Sequence, residues 1–274
     1  TLTASLGPVL IGLALAYNYG AVRRPFVAVL IGLCALLLQI GANLVNDYFD
    51  HKNNVDSKQR LGPKRALLTG KISADRIQAM YLACFAIAGV VGLYLAHIGG
   101  TPIFVIGLLS IFFAYLYTGG PYPLSYYGLG ELLALVFFGP VAVWGTWYLM
   151  TNSADIYPAV VGLGPGFIAW CLMGVNNMRD QVSDKASGKT TLAVLLGTER
   201  SRYVPIIGVV ISMVLPVYLA SYLQNYYLLA ACLSWLPFRK TWNRILKGPI
   251  DASQNLSLAD TGKYLFAYSV TVSI

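Results

Sequence analysis

The stretch Pro25-Phe-Val-Ala-Val-Leu-Ile-Gly-Leu-Cys-Ala-Leu-Leu-Leu-Gln-Ile-Gly-Ala-Asn-Leu-Val-Asn-Asp-Tyr-Phe-Asp50 carries no charge until its last four residues, where it places Asp47 and Asp50. A helix needs about 20 mainly apolar residues to cross a bilayer. The run therefore reads as a transmembrane helix whose acidic end emerges at one face. Similar runs recur at 2–22, 77–97, 102–119, 128–150, 156–178, 203–222, 224–238 and 260–274. Together they predict an all-α, polytopic transmembrane bundle of about nine helices, the eighth of them short. Composition agrees, because 57% of the 274 residues are hydrophobic and 11% charged, against about 25% charged in soluble proteins. The first run is too long for a leader's apolar core and lacks a basic flank before it, so it is expected to remain as a span.

The net charge of +8 would suit nucleic acid if it were gathered in a soluble module, but its distribution points to membrane orientation instead. With nine helices, the connections after helices 2, 4, 6 and 8 share one face. The 2–3, 6–7 and 8–9 connections and their edges hold 17 of the 19 Lys and Arg residues. The positive-inside rule puts that face in the cytoplasm, and with it the acidic helix ends. Cys34, Cys84, Cys171 and Cys232 are scattered singly through apolar runs, which argues for buried hydrophobes rather than a metal or redox centre. His51 and His97 lie too far apart in sequence to suggest a zinc site.

A second acidic end follows the run at 156–178. Asn43, Asp47 and Asp50 fall at i, i+4 and i+7, and Asn176, Asp180 and Asp184 at i, i+4 and i+8, so each set shares one helix face. Four helices separate the two ends, which brings both to the same side of the membrane. Two carboxylates about 5 Å apart repel by about 3 kcal/mol at an effective dielectric near 20, so converging acids require a cation or basic partners. All-oxygen donors point to a hard metal such as Mg²⁺, which takes a few carboxylates and completes its shell with water and phosphate. Basic residues suited to phosphate stand close by in sequence: Lys58, Arg60 and Arg65 around the Gly62-Pro63 turn, Arg179 within the second motif, and Lys189 after it.

Asn-Leu-Val-Asn-Asp-Tyr-Phe-Asp (43–50), Asp56, Arg60-Leu-Gly-Pro-Lys-Arg (60–65), Tyr117-Thr-Gly-Gly-Pro-Tyr-Pro-Leu (117–124), Gly128-Leu-Gly-Glu131 and the segment 176–197 resemble the UbiA-type intramembrane prenyltransferases. They are most similar to the branch that prenylates 1,4-dihydroxy-2-naphthoate in menaquinone biosynthesis. The broader family commonly carries its last acid four residues after the second Asp, where this chain has Asn54. Here the acid stands six residues on, at Asp56, as in the naphthoate branch.

The resemblance implies one membrane domain over 1–274, with pseudo-repeat halves at about 1–119 and 128–238, a last helix, and a central cavity. It implies Mg²⁺ held by Asn46, Asp47, Asp50, Asp180 and Asp184, with Asp56 as a further ligand, and a polyprenyl diphosphate contacted by Arg60, Arg65, Lys189, Lys58 and Arg179. Asn43, Asn177, Tyr117 and Tyr122 become candidate contacts for the aromatic acceptor. The implied product is demethylmenaquinone, formed with loss of CO₂ at a plasma membrane. Other acceptors, such as 4-hydroxybenzoate or homogentisate, define the nearest alternative. A cation-coupled transporter would need titratable groups continuing across the bilayer, and the opposite face offers only Arg23, Arg24, His97 and Asp155. Glu131 reads as an acid favouring a helix N-terminus.

Overall fold

The computed structural model describes residues 2–21, 24–53, 61–62, 67, 70 and 72–273. Asp56, Lys58, Arg60 and Arg65 lie outside them. The α-helices are α1 (Leu2–Asn18), α2 (Pro25–Lys52), α3 (Ala74–Leu116), α4 (Gly130–Thr151), α5 (Tyr157–Ala186), α6 (Leu192–Ser201), α7 (Tyr203–Leu223), α8 (Arg239–Lys247) and α9 (Gln254–Val272). There is no β-strand among the described residues.

Helix α3 accounts for two of the expected spans. Its 43 residues are interrupted at Gly100, whose φ of 69° and ψ of −158° lie in a region that side chains beyond glycine rarely enter. Pro102 follows at once and cannot continue an unbroken helix. A straight helix would separate Tyr81 from Tyr115 by about 50 Å at 1.5 Å per residue, yet their ring centroids are 6.5 Å apart. The two arms, 74–99 and 101–116, thus return antiparallel. The eighth apolar run is folded as 3₁₀ turns at Tyr226–Leu233 and Leu236–Phe238, which agrees with its short length.

The five long helices α2, α3, α4, α5 and α7 each have the length and apolarity to cross a membrane. Helix α5 is the axis of the bundle: 61% of its most apolar stretch is buried, against 22% for α2 and α3. It packs against α4, α6, α7 and α9. The first helix is part of the same interior, since its Ala4 and Ile11 join the core cluster that includes Ile168 and Tyr264.

In the middle of α4 the ladder opens into a π-helical turn over Phe137–Val141. Pro140 there removes an amide donor, and the turn brings Gly139 against Gly162 and Gly166 of α5. A Cβ on Gly166 would stand 2.6 Å from the Leu135 carbonyl oxygen. Small residues allow backbones to approach this closely in membrane bundles, where lipid supplies no hydrophobic drive for helix association.

Two short helices were not foreseen as helices. α6 starts on the Thr191 hydroxyl, which accepts from the Val194 amide at 3.4 Å. It is held to α5 by Gln181, which donates from Nε2 to the Ala193 carbonyl and accepts from the Thr198 hydroxyl at 3.2 Å. α8 buries Thr241, Trp242 and Ile245 and exposes Arg239, Lys240 and Lys247. The Ile245 carbonyl of α8 and that of Gly248, just past its end, accept from Arg202 at 2.9 and 2.8 Å.

The Gly139–Gly166 contact makes a direct prediction. Gly166→Val should destabilise the protein by about 1–3 kcal/mol through overpacking, read as a lower Tm in detergent. Gly89→Ala, where an added Cβ meets nothing within 4 Å, should leave the Tm unchanged or slightly raised.

Candidate active site

Helices α2 and α5 deliver their acidic ends to one polar cavity of about 380 Å³. Asn43, Asn46, Asp47 and Asp50 line it from α2, and Asn176, Asn177, Asp180, Ser183 and Asp184 from α5. Tyr117, Ser125, Lys189 and Thr191 add to the lining from the connecting segments. Most of the residues expected at the site therefore meet. Both helices run beyond the apolar runs that announced them, ending at Lys52 and Ala186, so the two motifs ride on regular helix rather than on loops.

The turn after α5 explains how Lys189 arrives. Ser187 caps the helix and Gly188 adopts φ +79°. The Lys189 amide donates back to the Asp184 carbonyl at 2.9 Å, and the Gly188 amide to that of Lys185 at 3.2 Å. This pair of bonds is the Schellman arrangement, and glycine suits its left-handed position. The chain is folded back over the motif. The Thr190 amide then reaches the Tyr126 carbonyl at 3.1 Å, and Lys189 Nζ lies 5.7 Å from the Tyr126 ring centroid.

Lys189 closes the cavity electrostatically. Its Nζ donates to Asp50 Oδ1 at 2.8 Å, with both side chains more than 90% buried. One acidic motif is thereby tied to the segment that follows the other. On the α5 side, Arg179 donates from Nε to Asp180 Oδ1 at 2.7 Å and from Nη2 to Oδ2 at 2.5 Å. The same guanidinium reaches Asn176 Oδ1 at 2.9 Å and Asn255 Oδ1 at 2.8 Å. Asn255, at the start of α9, passes the connection on by donating to the Leu61 carbonyl at 2.8 Å.

Arg179 is thus buried and does not line the cavity. Tyr122 is 70% exposed and also stands away from it. Tyr117 does line the cavity, and its hydroxyl donates to Met173 Sδ at 3.3 Å. A phenol keeps its proton at neutral pH, so Tyr117 stays a hydrogen-bond donor. Sequence reading passed over Ser125, Ser183 and Thr191. A search for pairs of polar residues one helical turn apart on the cavity face would have found Ser183 beside Asn176 and Asp180.

Among the described residues, no three His, Cys, Asp or Glu side chains form a ready-made metal cage. The acids stand on two walls, α2 and α5. All the donors are oxygens, as Mg²⁺ prefers. That ion commonly takes one or two carboxylates and draws its other ligands from water and substrate phosphate. The residues fit such an ion when it is shared with a phosphate group.

A second cavity of about 250 Å³ adjoins the polar one. The two share Gln39, Ala42, Tyr117, Ala134, Phe138 and Met173 as lining. The second is walled by Ile31, Leu38, Phe113, Leu133, Phe137 and similar side chains. From Ile31 to Asp50 the rise along α2 is about 28 Å at 1.5 Å per residue, so the two cavities together follow much of the bundle's length. A polar head next to a long apolar channel suits an amphiphile.

The profile described as the UbiA prenyltransferase family matches residues 5–260. The 1,4-dihydroxy-2-naphthoate octaprenyltransferase of Haemophilus influenzae is 37% identical over 212 residues, covering 74% of this chain and 68% of that protein. The protein of the same name from Escherichia coli is 35% identical over 210 residues, covering 74% and 67%. In fold, the chain is similar to the apo structure of a UbiA homolog from Aeropyrum pernix K1, with a TM-score of 0.75 at 17% identity over 98% of this chain and 96% of that one. A UbiA homolog from Archaeoglobus fulgidus bound to DMAPP and Mg²⁺ gives 0.63 at 18% identity, covering 99% and 96%. The chain is a multi-pass membrane protein of the UbiA prenyltransferase family.

Proposed function

We propose that this chain transfers a polyprenyl group from its diphosphate to 1,4-dihydroxy-2-naphthoate, with loss of CO₂, at the cytoplasmic face of a bacterial plasma membrane. The observation that carries the reading is a polar cavity lined by both acidic motifs and adjoining an apolar chamber with which it shares lining residues. The naphthoate acceptor is supported by the names of the relatives, and the cytoplasmic cap by the 17 of 19 basic residues on one face.

Asn46, Asp47 and Asp50 on one wall and Asp180 and Asp184 on the other are the residues to hold Mg²⁺, with Asp56 as a further ligand. When bound, Mg²⁺ offsets the negative charge that grows on the departing diphosphate. Lys189, already within the cavity lining, can donate to a diphosphate oxygen, and Lys58, Arg60 and Arg65 are assigned the same task by family resemblance. Arg179 acts instead as a brace that holds Asp180 in place. Tyr117, with its proton retained, together with Asn43 and Asn177, serves the acceptor side. Tyr122 belongs to the membrane interface, where tyrosine is common.

The apolar chamber takes the prenyl chain and keeps water from the allylic carbon as its C–O bond weakens. The C–O electron pair leaves with the diphosphate. The ring carbon bearing the carboxylate then bonds to the prenyl C1, and the C–C bond to the carboxylate breaks, returning its pair to the ring and releasing CO₂. The product is demethylmenaquinone in its quinol form. No residue is required to bond covalently to the substrate.

Purified protein supplied with Mg²⁺, a polyprenyl diphosphate and dihydroxynaphthoate should form a product, seen by mass spectrometry, that has gained the prenyl group and lost CO₂. Product that keeps its carboxyl group would contradict the decarboxylating reaction, and chelation with EDTA should stop turnover. Asp50→Ala and Asp184→Ala should each lower kcat by at least about 100-fold, in line with the loss of one group that stabilises transition-state charge. Arg179→Ala should lower stability by about 3–5 kcal/mol, as expected when one partner of a buried ion pair is removed, whereas a pure diphosphate contact would lose activity at unchanged Tm.

A further inference from the structure

Glu131 opens α4 and is fully buried. An acid that merely complements a helix N-terminus gains at most about 1 kcal/mol when exposed and has no reason to be sealed from water. Burying a carboxyl group is costly unless hydrogen bonds replace its hydration. Here Oε1 accepts from Asn177 Nδ2 of α5 at 2.9 Å. Oε2 is buried with no hydrogen-bond partner among the described residues. The α4–α5 contact is already made by glycines at Gly139, Gly162 and Gly166, so this polar bond is not needed to bring the two helices together.

Its position suggests a different use. Asn177 lines the polar cavity, while Glu131 lies behind it and lines neither chamber. An asparagine amide can present either its oxygen or its NH₂ group, and the two diverge by about 120° as at any trigonal carbon. Glu131 Oε1, as an acceptor, draws the NH₂ group to itself. The carbonyl oxygen is then not engaged by Glu131, and on a residue that lines the cavity a carbonyl can accept from a phenolic hydroxyl and disfavours anionic oxygens. Tyr117, which also lines this region, directs its hydroxyl to Met173 Sδ at 3.3 Å.

We propose that Glu131 is a positioning residue for the aromatic acceptor: it orients the Asn177 amide so that Oδ1 receives a ring hydroxyl. This rests on the reading of the protein as a prenyltransferase of hydroxylated aromatic acids. The pair separates the acceptor corner, offering a carbonyl, from the diphosphate corner, offering Lys189 and the acidic motifs. It thereby contributes to sorting two negatively charged substrates within one cavity.

The test is steady-state kinetics on Glu131→Leu and Glu131→Gln, with each substrate varied in turn and thermal unfolding measured alongside. Glu131→Leu keeps the bulk but cannot hold the amide. It should lower kcat/KM for the acceptor by about 10- to 100-fold, the scale expected from a misplaced substrate, mainly through KM, while KM for the prenyl diphosphate stays within about 2-fold. Glu131→Gln can still accept through Oε1 and should recover most of the loss. Glu131→Met is the second variant if Glu131→Leu does not yield folded protein.

A drop in Tm with unchanged acceptor kinetics would overturn the proposal, as would an equal rise in both KM values. Glu131→Gln as inactive as Glu131→Leu would also overturn it, by showing that the carboxyl group itself takes part in the chemistry. If the wild-type enzyme prenylates 4-hydroxybenzoate and not the naphthoate, the assigned acceptor fails, but the Glu131 comparison is read on that acid. No turnover with any aromatic acid overturns both.

Discussion

Unpaired carboxylates are costly in the interior of a membrane protein, and the cap of this bundle reflects that constraint. Asp50 is more than 90% buried and meets Lys189 at 2.8 Å. Asp180 has both oxygens engaged by Arg179. Much of the surrounding geometry serves these pairs. Gly188 turns the chain so that Lys189 can return, Asn255 recruits α9 to Arg179, and the Thr190–Tyr126 bond joins two connecting segments over the cavity. Paired carboxylates with one lysine at the seam form the acidic cavity to which the proposed reaction assigns its cation and diphosphate.

The second constraint is amphiphilicity. A prenyl diphosphate joins a highly charged head to a chain with no polar atoms, and the protein offers a polar chamber and an apolar one that share lining residues. Tyr117 and Met173 stand on the shared wall, where the Tyr117 hydroxyl donates to the thioether. In the proposed reaction, bond cleavage takes place at this boundary. There the allylic carbon is shielded by side chains while its leaving group faces the acids.

The spans and the two acidic faces were legible because both rest on local periodicity. Charge-free runs announce helices, and spacings of i, i+4 and i+7 or i+8 place side chains on one face. The Gly99-Gly100-Thr101-Pro102 interruption was likewise visible as the gap between two runs. What periodicity does not encode is the choice among partners. Arg179 and Lys189 look equally suited to phosphate in sequence, yet the first is turned inward to Asp180 and Asn255 while the second faces the cavity. Tyr122 and Tyr117 occur in one motif, and only Tyr117 reaches the site. Glu131 resembled an ordinary helix-start acid because nothing local connects it to Asn177, 46 residues away. The helices at 192–201 and 239–247 were hidden among basic connections, since each is short and held by tertiary bonds. Asp56, Lys58, Arg60 and Arg65 lie outside the described residues, and their roles rest on motif resemblance.

The central claim is that the α2 and α5 motifs act together on one diphosphate. It is tested most directly by cryo-electron microscopy or crystallography of the protein with Mg²⁺ and a non-reactive prenyl thiodiphosphate. The account predicts metal density joining the diphosphate to Asp47 or Asp50 on one side and to Asp180 or Asp184 on the other, with the prenyl chain in the chamber walled by Ile31, Leu38 and Phe137. A diphosphate bound at only one motif, or outside the cavity, would contradict it.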